Sequence, residues 1–229
     1  MASKTVGEWM KENYPEEYAI HIEDGNTKFF DADVDNEDGR WFMEMQTDLS
    51  AMFEHINSIP IPDELTADLI DKTGDDGDLT YMVFVFLAEK KISDYKKAHE
   101  IVSAFPKAHR TMYILYEFNH QVTNGGFSQY YGNTNGRFAK SLPNLLESIG
   151  EHALSDLAKR VHAVIEEAHG KTSLEFDTFI DAYDFDDPRF DEFDNEYYEL
   201  VEKDSMWNKL ARFIRENKAD FTKNFGSSN

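Results

Sequence analysis

Residues 117–136, EFNHQVTNGGFSQYYGNTNG, set two adjacent glycines between segments rich in aromatic side chains. The helical segment before them carries Tyr113, Leu115, Tyr116, Phe118 and Val122, and Phe127, Tyr130 and Tyr131 follow. Gly125 and Gly126 permit a positive φ and a close backbone approach. The stretch is therefore expected inside the protein body, where it returns aromatic side chains to one core, and not at an exposed tip. Asn124, Ser128, Gln129, Asn133 and Asn135 can supply partners for backbone groups released at such a turn.

Helical signals dominate the rest of the chain. Residues 40–58 place Trp41, Met45, Leu49, Met52, Phe53 and Ile56 on one helical face. Pro60 and Pro62 stop that helix, and Pro62-Asp63-Glu64 opens a short one reaching about Lys72. Residues 79–92 read as a buried helix or a strand; their length and Ala-Glu-Lys-Lys end favour helix. Further helices are expected over about 93–105, 106–123, 137–149, 152–169, 173–183, 188–203 and 206–217. Strand candidates are few: YAIHI at 18–22 and TKFFDA at 27–32. The reading is a mainly α, bundle-like domain over 79–229, preceded by an acidic, partly helical extension over 1–78.

The net charge of −22 needs a reason, because self-repulsion on that scale costs stability. It is unevenly placed: −16 over residues 1–94, +2 over 95–172, −11 over 173–204 and +3 over 205–229. Solubility alone does not require that concentration. Such a surface disfavours direct binding to nucleic acid or anionic lipid and steers basic proteins toward it. The chain has no cysteine, which excludes disulfides and thiolate metal sites. The longest apolar run, residues 81–88, is too short to span a bilayer, and the N-terminus lacks the apolar core of a signal peptide. A soluble, cytoplasmic protein is expected.

Catalytic patterns are weak. Glu117 with His120, and Glu166 with His169, form two Glu-x-x-His pairs of the kind found in di-iron helical enzymes. A complete site needs two further glutamates from core helices, for which Glu100 and Glu147 are the nearest candidates. Two acidic loops, at 31–39 and 71–78, lack the glycine and glutamate of a calcium loop. Asn124-Gly125-Gly126 could present N–H groups to a phosphate, but no lysine or arginine occurs from Thr111 to Gly136. No catalytic residue, metal site or cofactor is expected.

The pattern E-x-x-x-x-V-x-N-G-G-F-x-Q-Y-Y-x-N-x-x-G, including Asn124, Gly125, Gly126, Phe127, Gln129, Tyr130 and Asn133, resembles the signature of the bacterial DNA-mimic protein family. LPNLLESIGEHALSDLAKRVHAVIEE and DPRFDEFDNEYYEL extend the resemblance, which covers roughly residues 80–225. Gln121 departs from it, standing where an acid is expected. The resemblance implies a mainly helical, homodimeric protein that occupies a DNA-binding protein's basic site in place of DNA.

The residues themselves give a physical counterpart. In 188–203, Phe190, Phe193, Tyr197, Leu200 and Val201 form an apolar stripe, leaving carboxylates on the other faces. Side chains one helical turn apart lie roughly 5–6 Å from each other, close to phosphate spacing along a strand. The expected partner-binding surface comprises Asp181, Asp184, Asp186, Asp187, Asp191, Glu192, Asp194, Glu196 and Glu199. Two other readings compete with a DNA-mimicking binder of a basic, DNA-binding protein such as a transcription factor. They are a metal-dependent helical enzyme and an acidic scaffold or immunity-type interaction protein.

Overall fold

A computed structural model describes residues 4–134, 136–169 and 188–225. The described residues form twelve α-helices and no strand, so the fold is all-α. Chain contacts divide it into two compact units, residues 1–60 and 61–229.

The first unit contains α1 (Val6–Asn13), α2 (Pro15–Glu23) and α3 (Glu37–Ser58). Thr5 caps α1 in a reciprocal box with Glu8, its hydroxyl accepting from the Glu8 N–H while the Glu8 carboxylate accepts from the Thr5 N–H. A small core of Val6, Met10, Phe30 and Phe42 forms where the 27–34 segment lies over α1. The Val6 and Gly7 N–H groups, unpaired within their helix, donate to the Ala32 and Phe30 carbonyls at 2.8 and 2.9 Å.

Neither strand candidate is a strand. Residues 18–22 lie in α2, started by Pro15 with Glu16 and Glu17 in its first turn; Tyr18 stacks on Phe30 at 5.1 Å between centroids. Residues 27–32 form turns, because their carbonyls serve α1 and no neighbouring strand accepts them. In α3 only Gly39, Phe42 and Gln46 are buried, so most of its apolar stripe is not covered by its own unit.

The second unit begins at Ile61, so residues 61–78, grouped with the extension on sequence grounds, pack with the larger body. It contains α4 (Ala67–Lys72), α5 (Asp76–Lys91), α6 (Ala98–Ser103), α7 (Lys107–Thr134), α8 (Leu142–Ser148), α9 (His152–His169), α10 (Arg189–Val201), α11 (Met206–Glu216) and α12 (Lys218–Phe221). The ambiguous 79–92 segment is helical. Asp75 caps α5 by accepting from the Asp78 N–H, and Leu79, Met82, Val83, Phe86 and Leu87 are buried.

Helix α7 occupies the centre and packs against α5, α6, α8, α10, α11 and α12. Its aromatics hold these layers together. Phe84 of α5 stacks on Tyr116 at 4.1 Å, and Phe118 meets Tyr130 and Tyr197 edge-on. Helices α8 and α9 pair with each other, and α10 lies against both α7 and α9. Basic α11 buries Leu210, Ala211 and Ile214; its Lys209 is buried too, paired with Glu151 at 2.8 Å. The glycine stretch therefore runs through the body of this unit, between fully buried Phe118, Phe127, Tyr130 and Tyr131.

Candidate functional site

Helix α7 breaks at Gly125 and Gly126, the second with φ of 73° and ψ of −175°. A break in a buried helix releases carbonyls before it and N–H groups after it, and each needs a partner. Both sets are met from α10. The Asp194 carboxylate accepts from the Phe127 N–H at 2.8 Å, capping the second half of α7. The Tyr198 hydroxyl lies 3.2 and 3.3 Å from the Val122 and Thr123 carbonyls that end the first half. Between them, the buried Tyr197 hydroxyl donates to the Asn119 side-chain carbonyl. Three residues at i, i+3 and i+4 of α10 thus seal one kink in α7.

Gly126 is required twice over. Its φ is left-handed, and a Cβ at that position would sit 2.1 Å from the Asp194 Oδ2. Gln129 and Asn133 bond a side chain, Gln121, and not a freed backbone group. Gln121 donates to Glu117 at 2.8 Å and accepts from Gln129 at 2.9 Å and Asn133 at 2.7 Å, tying the two halves of α7 together. An ionised acid at 121 could not donate to Glu117, so the amide found there is what this network needs. Asn124 is exposed, and Asn135 lies outside the described residues.

The expected acidic surface separates into three groups. Asp191, Glu192 and Glu199 lie exposed on α10, with no ion pair among the described residues. Glu196 is paired with Arg160 of α9, and Asp194 faces inward as the cap of α7. Burial pushes the Asp194 carboxyl above its ordinary value; the bond from Phe127 opposes this, and the nearby Asp191 charge adds to it. Asp181, Asp184, Asp186 and Asp187 lie outside the described residues.

Many bases of this unit are committed internally. Arg189 pairs with Glu167 at 2.8 Å, Arg212 with Asp204 at 2.7 Å and Lys90 with Asp63 at 3.0 Å. Arg215 pairs with Asp76 and Lys218 with Asp71, both at 2.5 Å. Since acids outnumber bases in the chain by 45 to 23, such pairing leaves a carboxylate excess facing solvent.

The residues considered for metal do not converge among the described ones, where no three histidine, aspartate or glutamate side chains form a ligand group. The Glu117 carboxylate accepts from Gln121, and His120 is exposed. Glu100 is exposed, Glu147 is paired with His152 and Lys159, and the His169 side chain lies outside the described residues. No helix among the described residues is long and apolar enough to cross a membrane.

Sequence reasoning missed the roles of Asp194 and Tyr198 in closing the kink. The only signal was that Asp194, Tyr197 and Tyr198 share one helical neighbourhood; which segment they meet is set by packing alone.

No curated protein and no solved structure matches the chain. Residues 103–217, half of its length, match the DMP19-like protein family, and the match spans the kinked α7, the acidic α10 and the basic α11. The chain belongs to the DMP19-like family, that of DNA mimic protein 19.

Proposed function

We propose that this is a non-enzymatic binding protein that occupies the basic, DNA-contacting site of a DNA-binding protein in place of DNA. The observation that carries the reading is the division of labour on α10. Phe190 and Tyr197 are buried and Asp194 caps α7, while Asp191, Glu192 and Glu199 project to solvent with no cationic partner among the described residues. The helix is fixed by one face and offers carboxylates on another. A fixed array loses little side-chain and backbone freedom on binding, which favours association.

Duplex DNA presents about one charge per 1.7 Å of axis. Carboxylates one helical turn apart approach phosphate spacing within a strand, and pairing of two copies would present two such arrays. The proposed assembly is therefore a homodimer, acting in the cytoplasm. Each exposed pair with a partner lysine or arginine contributes only about 0.2–1 kcal/mol. The summed field still accelerates encounter and is screened over about 8–10 Å at ordinary salt.

The test neutralises the exposed set without touching the cap. The variant Asp191→Asn, Glu192→Gln, Glu199→Gln should fold as the wild type does. It should bind a partner recovered by low-salt affinity capture more weakly, with a shallower dependence on salt. Duplex DNA should compete with the wild-type chain for that partner. Undiminished binding by the triple variant, or a ternary complex with DNA, defeats the reading. Sedimentation of the wild type across a concentration series checks the dimer.

A further inference from the structure

Helix α3 carries an apolar face that its own unit does not cover. Trp41, Leu49, Met52 and Phe53 are 54%, 38%, 46% and 57% exposed, although they recur at helical spacing on one side. The buried positions of the helix, Gly39, Phe42 and Gln46, all lie in its first half. From residue 47 to 58 no side chain is buried. Helical stability in proteins comes mostly from packing of an apolar face, so an apolar stripe left open along this half calls for a partner. Single exposed apolar residues are ordinary on protein surfaces, but a contiguous stripe ending in Trp and Phe marks an interaction site.

Charge selects the occupant. Trp41, Met45, Leu49 and Met52 line a shallow groove whose other lining residues are Glu44 and Asp48. The unit around it carries 14 acids against 4 lysines and arginines. A second copy docked through its own α3 would set Glu44 and Asp48 against the same acids, with Arg40 the only lysine or arginine of that helix. An apolar segment flanked by lysine or arginine answers both the stripe and the rim.

The geometry points to α3 as the docking face for a cationic amphipathic helix of a partner protein. The stripe from Trp41 to Phe53 spans about 18 Å at 1.5 Å per residue, which a partner helix of about 12–14 residues would match. Met45 and Met52 suit such a face, since an unbranched thioether side chain adapts to varied apolar shapes. The face lies outside the residues that match the family. It does not depend on the carboxylates of α10.

Three synthetic peptides of about 14 residues test this. One has leucines at helical spacing and lysines elsewhere, the second is a scramble of it that breaks the stripe, and the third replaces lysine by glutamate. Fluorescence anisotropy with the full chain should show the first binding at least about tenfold more tightly than either control. That advantage should disappear in Leu49→Ser, Phe53→Ser. It should persist in the Asp191→Asn, Glu192→Gln, Glu199→Gln variant, which separates this site from the one proposed on α10. Circular dichroism and melting of the serine variant establish that it is folded.

Equal binding of the scrambled peptide, or retention of the advantage in the serine variant, overturns the inference. No binding of the first peptide also overturns it. A dimer of the full chain that dissociates on the serine substitutions overturns it as well, by making a second copy the occupant.

Discussion

Helices α3 and α10 are alike in sequence and opposite in circumstance. Each combines an apolar stripe with a surplus of acids, yet α10 buries Phe190 and Tyr197 while α3 leaves Trp41 and Phe53 in solvent. The difference lies in their neighbours. Helix α10 has α7 along one side and α9 along another, whereas within its unit α3 meets α1 over its first half. A stripe fixes which face of a helix is sticky; it does not fix what covers that face. The acids follow the same logic. On α10 one carboxylate is turned inward as a structural cap, while Glu44 and Asp48 of α3 remain the rim of an open groove.

The largest expected effect tests how tightly α10 is fitted to the kink. Gly126→Val imposes a side chain on a left-handed backbone and drives it into the Asp194 carboxylate. Strain, overpacking and loss of the cap together should cost about 4 kcal/mol, read from the urea midpoint. A near-wild-type midpoint would mean that α10 does not seal α7 as described.

Removing the cap alone is the next step down. Asp194→Ala should cost about 1–2 kcal/mol, while Asp194→Asn keeps an oxygen for the Phe127 N–H and should cost less. Wild type and Asp194→Asn also separate by pH. Because burial raises the Asp194 carboxyl above 3.8, the folded chain holds its proton more tightly than the unfolded chain does. The stability this confers is complete below 3.8 and is lost as pH rises through the raised value. Wild type should therefore lose stability relative to Asp194→Asn as the pH rises from 3.8 through that window. A pH-independent difference would argue that the carboxylate is solvated.

A smaller effect is expected at Gln121. Gln121→Glu removes the donor to Glu117 and places a second carboxylate beside it, at a cost of about 1 kcal/mol near neutral pH. Stability should recover toward acid, as protonation restores a donor. If the variant matches wild type at neutral pH, the amide network contributes nothing.

The smallest effect completes the contrast. Leu49→Ser with Phe53→Ser should change folding stability by no more than about 0.5 kcal/mol, as for other exposed positions. A large loss of melting temperature would show that the α3 stripe is part of a core after all.

Much of the second unit was legible from pattern. Helical spacing located α9, α10 and α11 to within a residue or two, and paired aromatics on both sides of Gly125 and Gly126 placed the glycine stretch in the interior. The failures have a common cause. Residues 18–22 and 27–32 look like strands by composition, but strands need a backbone partner; the first segment is helical, and N–H groups of α1 donate to the carbonyls of Phe30 and Ala32 in the second. In the candidate site, Asp191, Glu192 and Glu199 were legible as outward acids because the stripe left them no other face. Asp194 stands four residues after Phe190 and three before Tyr197, on the stripe itself, so the pattern turns it inward without saying what it meets; the pairing of Glu196 with Arg160 has no local signal.

Helical class, the double-glycine break in α7 and the strong excess of carboxylates can be read directly from the order of residues. These follow from spacing, backbone freedom and composition, all properties of neighbouring residues or of simple sums. Tertiary structure decided which acids remain available, because that depends on what lies opposite them. Asp194 is spent on a backbone N–H more than sixty residues away in sequence, and Glu196 on Arg160. Tertiary structure also decided that α10 is clasped while the stripe of α3 stands open. The burial of a face is a property of two surfaces, and a sequence pattern describes only one of them.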